Sequence, residues 1–187
     1  MFRFRLVVAV MVAVVLTACA VAPTPTALLA DELFSRSGRF ALNVQTADGK
    51  KDAVQGGFQW QESSQQLQLD LNNPMGTVLA RVLVTPQGAA LQYPNGETEY
   101  ASSPDALVEQ LLGYVIPVAG MRSWLQGQVG SGSAVSALKQ EDGVPSYFEQ
   151  DSWRIHLKRY DAYGPTLLQM YRNQAQQDIS IRIVIDY

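Results

Sequence analysis

From about residue 35 to Tyr187 the chain alternates apolar and polar residues at a period of two, and it breaks that rhythm once. Alternation of this kind puts one side-chain set on each face of a pleated strand, so most of the chain is committed to β-sheet with one buried face. Phe40, Leu42 and Val44 alternate with Arg39, Ala41 and Asn43, and Phe58 and Trp60 alternate with Gly57, Gln59 and Gln61. Leu67, Leu69 and Leu71 alternate with Gln66, Gln68 and Asp70, the cleanest one-face-buried strand of the chain. Further strands are predicted at 78–85, 88–93, 96–101, 134–140, 146–150, 152–160, 166–173 and 178–187. Asp48-Gly49, Pro86-Gln87-Gly88 and Pro94-Asn95-Gly96 supply turn chemistry between them, which favours antiparallel hairpins.

The break falls between Ser103 and Gln128. Ser103 before Pro104 is an N-cap with proline at the first helical position, and Leu107, Leu111 and Leu112 recur at helical spacing up to Gly113. Pro117 opens a second short helix with Val118, Met121, Trp124 and Leu125, closing near Gly127. The expected fold is therefore mainly β with a small α part. About ten or eleven antiparallel strands twist into an open half β-barrel, and the helices at 103–128 form a short lid over an apolar interior. A membrane-embedded barrel would show the same alternation. Several strands fall short of the ~9–11 residues that cross a bilayer, and the amphipathic helices argue against it.

The first residues are an address. Arg3 and Arg5 form a positive n-region, Leu6 to Leu16 is an apolar run, and Thr17-Ala18 precedes Cys19. The run is too short for a comfortable span of about 20 residues. Leu16-Thr17-Ala18-Cys19 resembles the bacterial lipobox, in which the signal is cut before a cysteine that becomes acylated. The expected organisation is thus a cleaved signal at 1–18, an acylated N-terminus and Pro-containing linker at 19–34, and a single domain at 35–187. By the sorting rule of Gram-negative lipoproteins, Ala20 in place of Asp directs the chain to the outer membrane, on its periplasmic face.

Composition removes several classes of function. Fourteen Lys and Arg against 17 Asp and Glu leave a net charge of −3, with no basic surplus for nucleic acid. One cysteine and one histidine exclude an internal disulfide and a Cys/His zinc cluster. No metal and no cofactor are expected. His156 falls between Arg154 and Lys158 on the polar side of a strand, where a solvated ring is expected, and no serine lies in a Gly-x-Ser-x-Gly elbow. An enzyme is not expected.

Two features suggest a different task. The buried faces gather Phe40, Leu42, Phe58, Trp60, Leu69 and Leu71 from strands, with Leu107, Leu111, Ile116, Met121, Trp124 and Leu125 from the helices. Each residue on its own fits an ordinary core. Together, under two short helices, they fit a cavity for something long and apolar. The turn Asn72-Asn73-Pro74-Met75-Gly76-Thr77 suits a type II-like geometry if Gly76 takes positive φ. Met75 then folds back onto the sheet or stands exposed at the tip, where an apolar side chain enters a partner or a bilayer.

These residues carry a resemblance. The lipobox Cys19, Gly57-Phe58-Gln59-Trp60, the Pro74-Met75-Gly76 turn, Gly113-Tyr114-Val115-Ile116-Pro117-Val118 and Met121-Arg122-Ser123-Trp124-Leu125-Gln126-Gly127 are similar to the LolB family of outer-membrane lipoprotein receptors. The resemblance runs in order over nearly the whole mature chain. It implies a lidded open barrel that accepts lipoproteins from the periplasmic carrier LolA and inserts them into the outer membrane. The partners so implied are the loaded carrier, the acyl chains of client lipoproteins and outer-membrane lipid, the protein itself being a monomer. Cys19 would be the lipidated residue, and Pro74, Met75 and Gly76 the membrane-insertion loop. Met75 stands where the family commonly has Leu, and Gln128-Val129 follows Gly127 where relatives often have an apolar residue and proline. Two other readings stay open: a lipid-anchored structural or assembly-factor lipoprotein, and a phospholipid-binding transporter.

Overall fold

The computed structural model describes residues 33–186. The predicted signal, Cys19 and all of the linker but its last two residues lie outside the described residues. The sheet, both helices and the core fall within Glu32–Tyr187, a unit complete in itself. Eleven strands follow in chain order: β1 (Phe34–Thr46), β2 (Lys51–Glu62), β3 (Leu67–Asn72), β4 (Val78–Thr85), β5 (Gly88–Gln92), β6 (Thr98–Ala101), β7 (Val135–Glu141), β8 (Val144–Gln150), β9 (Trp153–Asp161), β10 (Gly164–Gln174) and β11 (Gln177–Ile185). Helices α1 (Pro104–Leu112) and α2 (Val118–Trp124) interrupt them between β6 and β7.

All pairings described between neighbours are antiparallel, and the order β6-β5-β4-β3-β2-β1-β11-β10-β9-β8-β7 makes one continuous sheet. Pairing of β1 with β11 splices the first strand to the last. The free edges are consequently β6 and β7, the two strands that flank the helical insertion in sequence. The sheet therefore stays open where the helices are inserted. Strand direction sorts the turns onto two rims. The β1–β2, β3–β4, β5–β6, β8–β9 and β10–β11 turns share what we call the upper rim. The start of β1 and the remaining turns share the lower rim. The insertion leaves β6 at the lower rim and rejoins β7 at the upper.

The predicted alternation sets the core. Trp60, Leu69, Val82 and Leu91 form a buried row across β2 to β5, and Ile181, Met170, Ile155 and Phe148 form another across β11 to β8. Asp70 departs from the expected exposed face of β3. It is buried because Arg81 lies across it, donating through Nε and Nη2 at 2.6 and 2.8 Å.

Helix α1 begins and ends as its sequence predicts. The Ser103 hydroxyl accepts from the Ala106 amide, Pro104 opens the first turn, and Gly113 closes it at φ 78° with its amide bonded to the Glu109 carbonyl. Helix α2 stops at Trp124, three residues before the expected Gly127, and continues only as a turn. Pro117 gives α2 no side-chain cap. The carboxylate of Asp105 on α1 supplies one, accepting the Ala119 amide at 2.8 Å and joining the two helices.

Candidate functional site: an apolar cavity under the helices and an exposed methionine turn

The helices cover the concave face around a cavity of about 60 Å³. Every lining residue is aliphatic, aromatic or methionine. Phe40 and Leu42 of β1, Phe58 and Trp60 of β2, Leu69 and Leu71 of β3, and Ile116, Met121 and Leu125 of the insertion line it as the sequence suggests. Val108, Leu112, Val118, Ile181 and Ile183 also line it and were not anticipated. Three candidates do not line it. Leu107 and Trp124 are fully buried in the core beside it, and Leu111 packs half-buried against that core. The shift from Leu107 and Leu111 to Val108 and Leu112 is a rotation of α1 by one position, about 100°. Periodicity identifies the pair spacing but not which pair faces the sheet and which the cavity.

Trp124 is instead a peg. Its indole Nε1 donates to Oε1 of the buried Gln150 at 3.0 Å, and its ring meets Phe148 edge to face at 6.1 Å. Gln150 Oε1 also accepts the Gly130 amide at 3.0 Å, while Nε2 donates to the carbonyls of Gly130 and Ser133 at 2.7 and 3.2 Å. The segment after α2 is fixed by these bonds to the end of β8. On the other side of α2, Arg122 pairs with Glu62 at the end of β2, through Nε at 2.7 Å and Nη2 at 2.6 Å. The second oxygen of Glu62 accepts the indole N–H of Trp60 at 3.0 Å, so a cavity-wall residue and a lid residue share one carboxylate. Between the helices, the Tyr114 hydroxyl donates to the Asp52 carboxylate at 2.8 Å, which raises the phenol above its ordinary pKa.

The turn at Met75 stands on the upper rim. Asn73 holds it: the Asn73 carbonyl accepts the Gly76 amide at 2.9 Å, and its side-chain oxygen accepts the amides of Met75 and Thr77 at 2.9 and 3.0 Å. Gly76 takes φ 87° while Met75 does not take positive φ. Met75 therefore occupies the second corner of the turn, and Gly76 the left-handed position after it, which differs from the type II-like turn expected. Met75 is 94% exposed, so of the two orientations the exposed tip is the one adopted.

His156 is not the solvated ring expected. It lies half-buried between Tyr147 and Tyr171, with ring centroids at 4.7 and 5.9 Å. Burial and the charges of Lys158, Arg154 and Lys139 press its pKa below the usual histidine value.

Residues 32–187 match the family described as "Outer membrane lipoprotein LolB". The outer-membrane lipoprotein LolB of Bordetella pertussis is 45% identical over 172 residues, covering 91% of this chain and 86% of that protein. That of Cupriavidus taiwanensis is 36% identical over 190 residues, covering 94% and 92% respectively. A solved LolA superfamily protein, NE2245 from Nitrosomonas europaea, superposes with a TM-score of 0.40 at 9% identity, covering 82% of this chain and 87% of that one. That similarity is too low to bear on fold or function.

Proposed function

The chain belongs to the LolB family of outer-membrane lipoproteins, and on that footing we propose that it receives lipoproteins from a LolA-type periplasmic carrier, holds their acyl chains beneath its helices and inserts them into the outer membrane. The observation that carries this reading is the wholly apolar lining of a cavity roofed by two short helices. A volume of about 60 Å³ is the share of roughly two waters in the liquid. That space is too small for a whole acyl chain, so acyl chains enter as the cover over the cavity yields.

No nucleotide and no covalent step is required. Acyl chains leave the carrier because this cavity holds them more favourably, since only a difference in affinity moves an equilibrium. Insertion is then driven by burial of the chains in the bilayer, about 0.8 kcal/mol for each CH₂. Met75, with Pro74 and Gly76 shaping its turn, makes the first contact with lipid. Acylated Cys19 keeps the domain, as a monomer, at the periplasmic face of the outer membrane.

The test is an incubation of the domain 32–187 with a carrier–lipoprotein complex, followed by separation. Lipoprotein is expected to be recovered with the domain at equilibrium. If none moves across, the receptor function is wrong, and phospholipid co-purifying with the domain would then favour a lipid transporter.

A further inference from the structure

Within that reading of the cavity as an acyl-chain site, we propose that the inter-helix segment Gly113–Pro117 is its gate, and that the Tyr114–Asp52 hydrogen bond is the catch that holds the gate shut. The mouth then opens on the upper rim, the rim that carries Met75.

The two helices are held and the segment between them is not held in the same way. Leu107 buries α1 against the sheet. Helix α2 is held by the Arg122–Glu62 pair, in which Glu62 is largely buried, by the buried Trp124–Gln150 bond and by the Asp105 cap. The segment between them makes one side-chain hydrogen bond to the sheet among the described residues, from Tyr114 to Asp52, and that bond is exposed to water; the rest of its hold is apolar packing of Tyr114 and Ile116. Solvent competes for such a bond and leaves it little net strength, whereas breaking a buried ion pair strands a charge.

The segment is bounded by a glycine at one end and a buried proline at the other. Gly113 takes φ 78°, a conformation glycine adopts without strain, and a Cβ built there would have no neighbour within 4 Å. Pro117 sits at the other end, where α2 starts. Between them Ile116 is buried and lines the cavity. Displacing the segment therefore withdraws a wall residue from the cavity while both helices stay in place. Asp52 is the second residue of β2, next to the β1–β2 turn on the upper rim. A chain leaving through this gate emerges on the rim where Met75 is exposed, which joins cavity and membrane contact in one path.

Residues 32–187 contain no cysteine, so introduced pairs react alone. Two variants of the domain are joined with a short bis-maleimide: Asp52→Cys with Tyr114→Cys, and Glu62→Cys with Arg122→Cys. Uptake of a fluorescent long-chain fatty acid is then followed by stopped flow. Relative to the same variant before linking, the 52–114 link is expected to slow uptake about tenfold or more, and the 62–122 link to leave it within about twofold. A 52–114 link without effect, or a block by the 62–122 link, overturns the gate. The catch has its own readout. Tyr114→Phe should raise amide hydrogen exchange at Val118, whose amide bonds to the Ile116 carbonyl, about fivefold while Met121 to Leu125 keep their protection. Unchanged exchange overturns the catch whether or not fatty acid binds. A domain that takes up no fatty acid even without a link refutes the acyl-chain reading and, with it, the gate's role in uptake.

Discussion

Arg36 on β1 grips Asp161 at the β9–β10 turn through two parallel hydrogen bonds, Nη1 to Oδ2 at 2.7 Å and Nη2 to Oδ1 at 2.8 Å, between residues 125 positions apart. Side-chain exposure is 5% for Arg36 and 33% for Asp161, and the guanidinium also lies over the rings of Tyr163 and Phe34 at 5.7 and 5.9 Å. Among the described residues Arg36 Nε has no hydrogen-bond partner, and the carboxylate is the counter-charge that makes the burial of Arg36 tolerable. Asp161→Asn keeps the shape and removes that charge. It is expected to destabilise the domain by about 2–4 kcal/mol, read as a lower denaturant midpoint at unchanged slope.

The same pair sets an acid limit. The Arg36 hydrogen bonds, helped by the amides of Tyr163 and Gly164, lower the Asp161 pKa from 3.8 to about 2. A depressed carboxylate stabilises the fold fully above its unfolded pKa, and the contribution is lost as pH falls through the folded value. After discounting for partial exposure it is about 1–2 kcal/mol. Stability of the native domain should fall between about pH 5 and pH 1 more steeply than that of Asp161→Asn. Parallel curves for the two would show that the pair has no such role.

Met75→Glu should leave stability within about 0.5 kcal/mol, because Met75 is 94% exposed and the turn is closed by Asn73. A charge at that tip resists entry into lipid. Acceptance of lipoprotein from the carrier is expected to persist while incorporation into vesicles fails, and normal incorporation by the variant would remove Met75 from the insertion step.

Gln150→Ala removes both acceptor bonds and both donor bonds of a buried amide that ties Trp124 and Gly130 to β8. A loss of about 2–4 kcal/mol is expected. Trp124 should become mobile, so its emission should shift to the red before global unfolding. An unshifted spectrum would mean that Phe148 packing alone seats the indole.

Leu33 and Met75 stand at opposite rims, since β1 and β3 run in the same direction and Met75 follows β3. If Cys19 is acylated, residues 20–32 must let the Met75 rim reach the bilayer. At ~3.3–3.6 Å per residue, that segment fully extended equals about the length of the 13-residue β1. Deleting residues 22–29 should therefore block membrane incorporation and spare acceptance from the carrier. Mass measurement of the same proteins should show cleavage before Cys19 and acylation of it.

Much of the fold is written in local pattern. The ladder of Phe40, Leu42 and Val44, the Ser103-Pro104 start and the Gly113 stop each depend on near neighbours and a fixed period, and the structure keeps them. Asp70 and His156 were placed wrongly as exposed, because the Arg81 and Tyr171 that cover them come from other strands. Leu107 and Leu111 gave way to Val108 and Leu112 at the cavity for the same reason: the azimuth of an amphipathic helix is set by what it packs on. Ile181 and Ile183 were legible as a buried strand face, but their place in the cavity follows from the pairing of β11 with β1.

The sequence by itself determined the strand content, the site of the helical interruption, the place of the Met75 turn and, through its ordered motifs, the family. These rest on spacing along the chain. Tertiary structure decided that the sheet opens between β6 and β7, that Arg36 meets Asp161, and that Arg122, Glu62 and Trp60 form one chain of contacts. It also left a cavity of about 60 Å³ rather than a filled core. Those outcomes depend on packing between residues far apart in sequence, where small differences in fit and burial select one arrangement from many that the same periodicity allows.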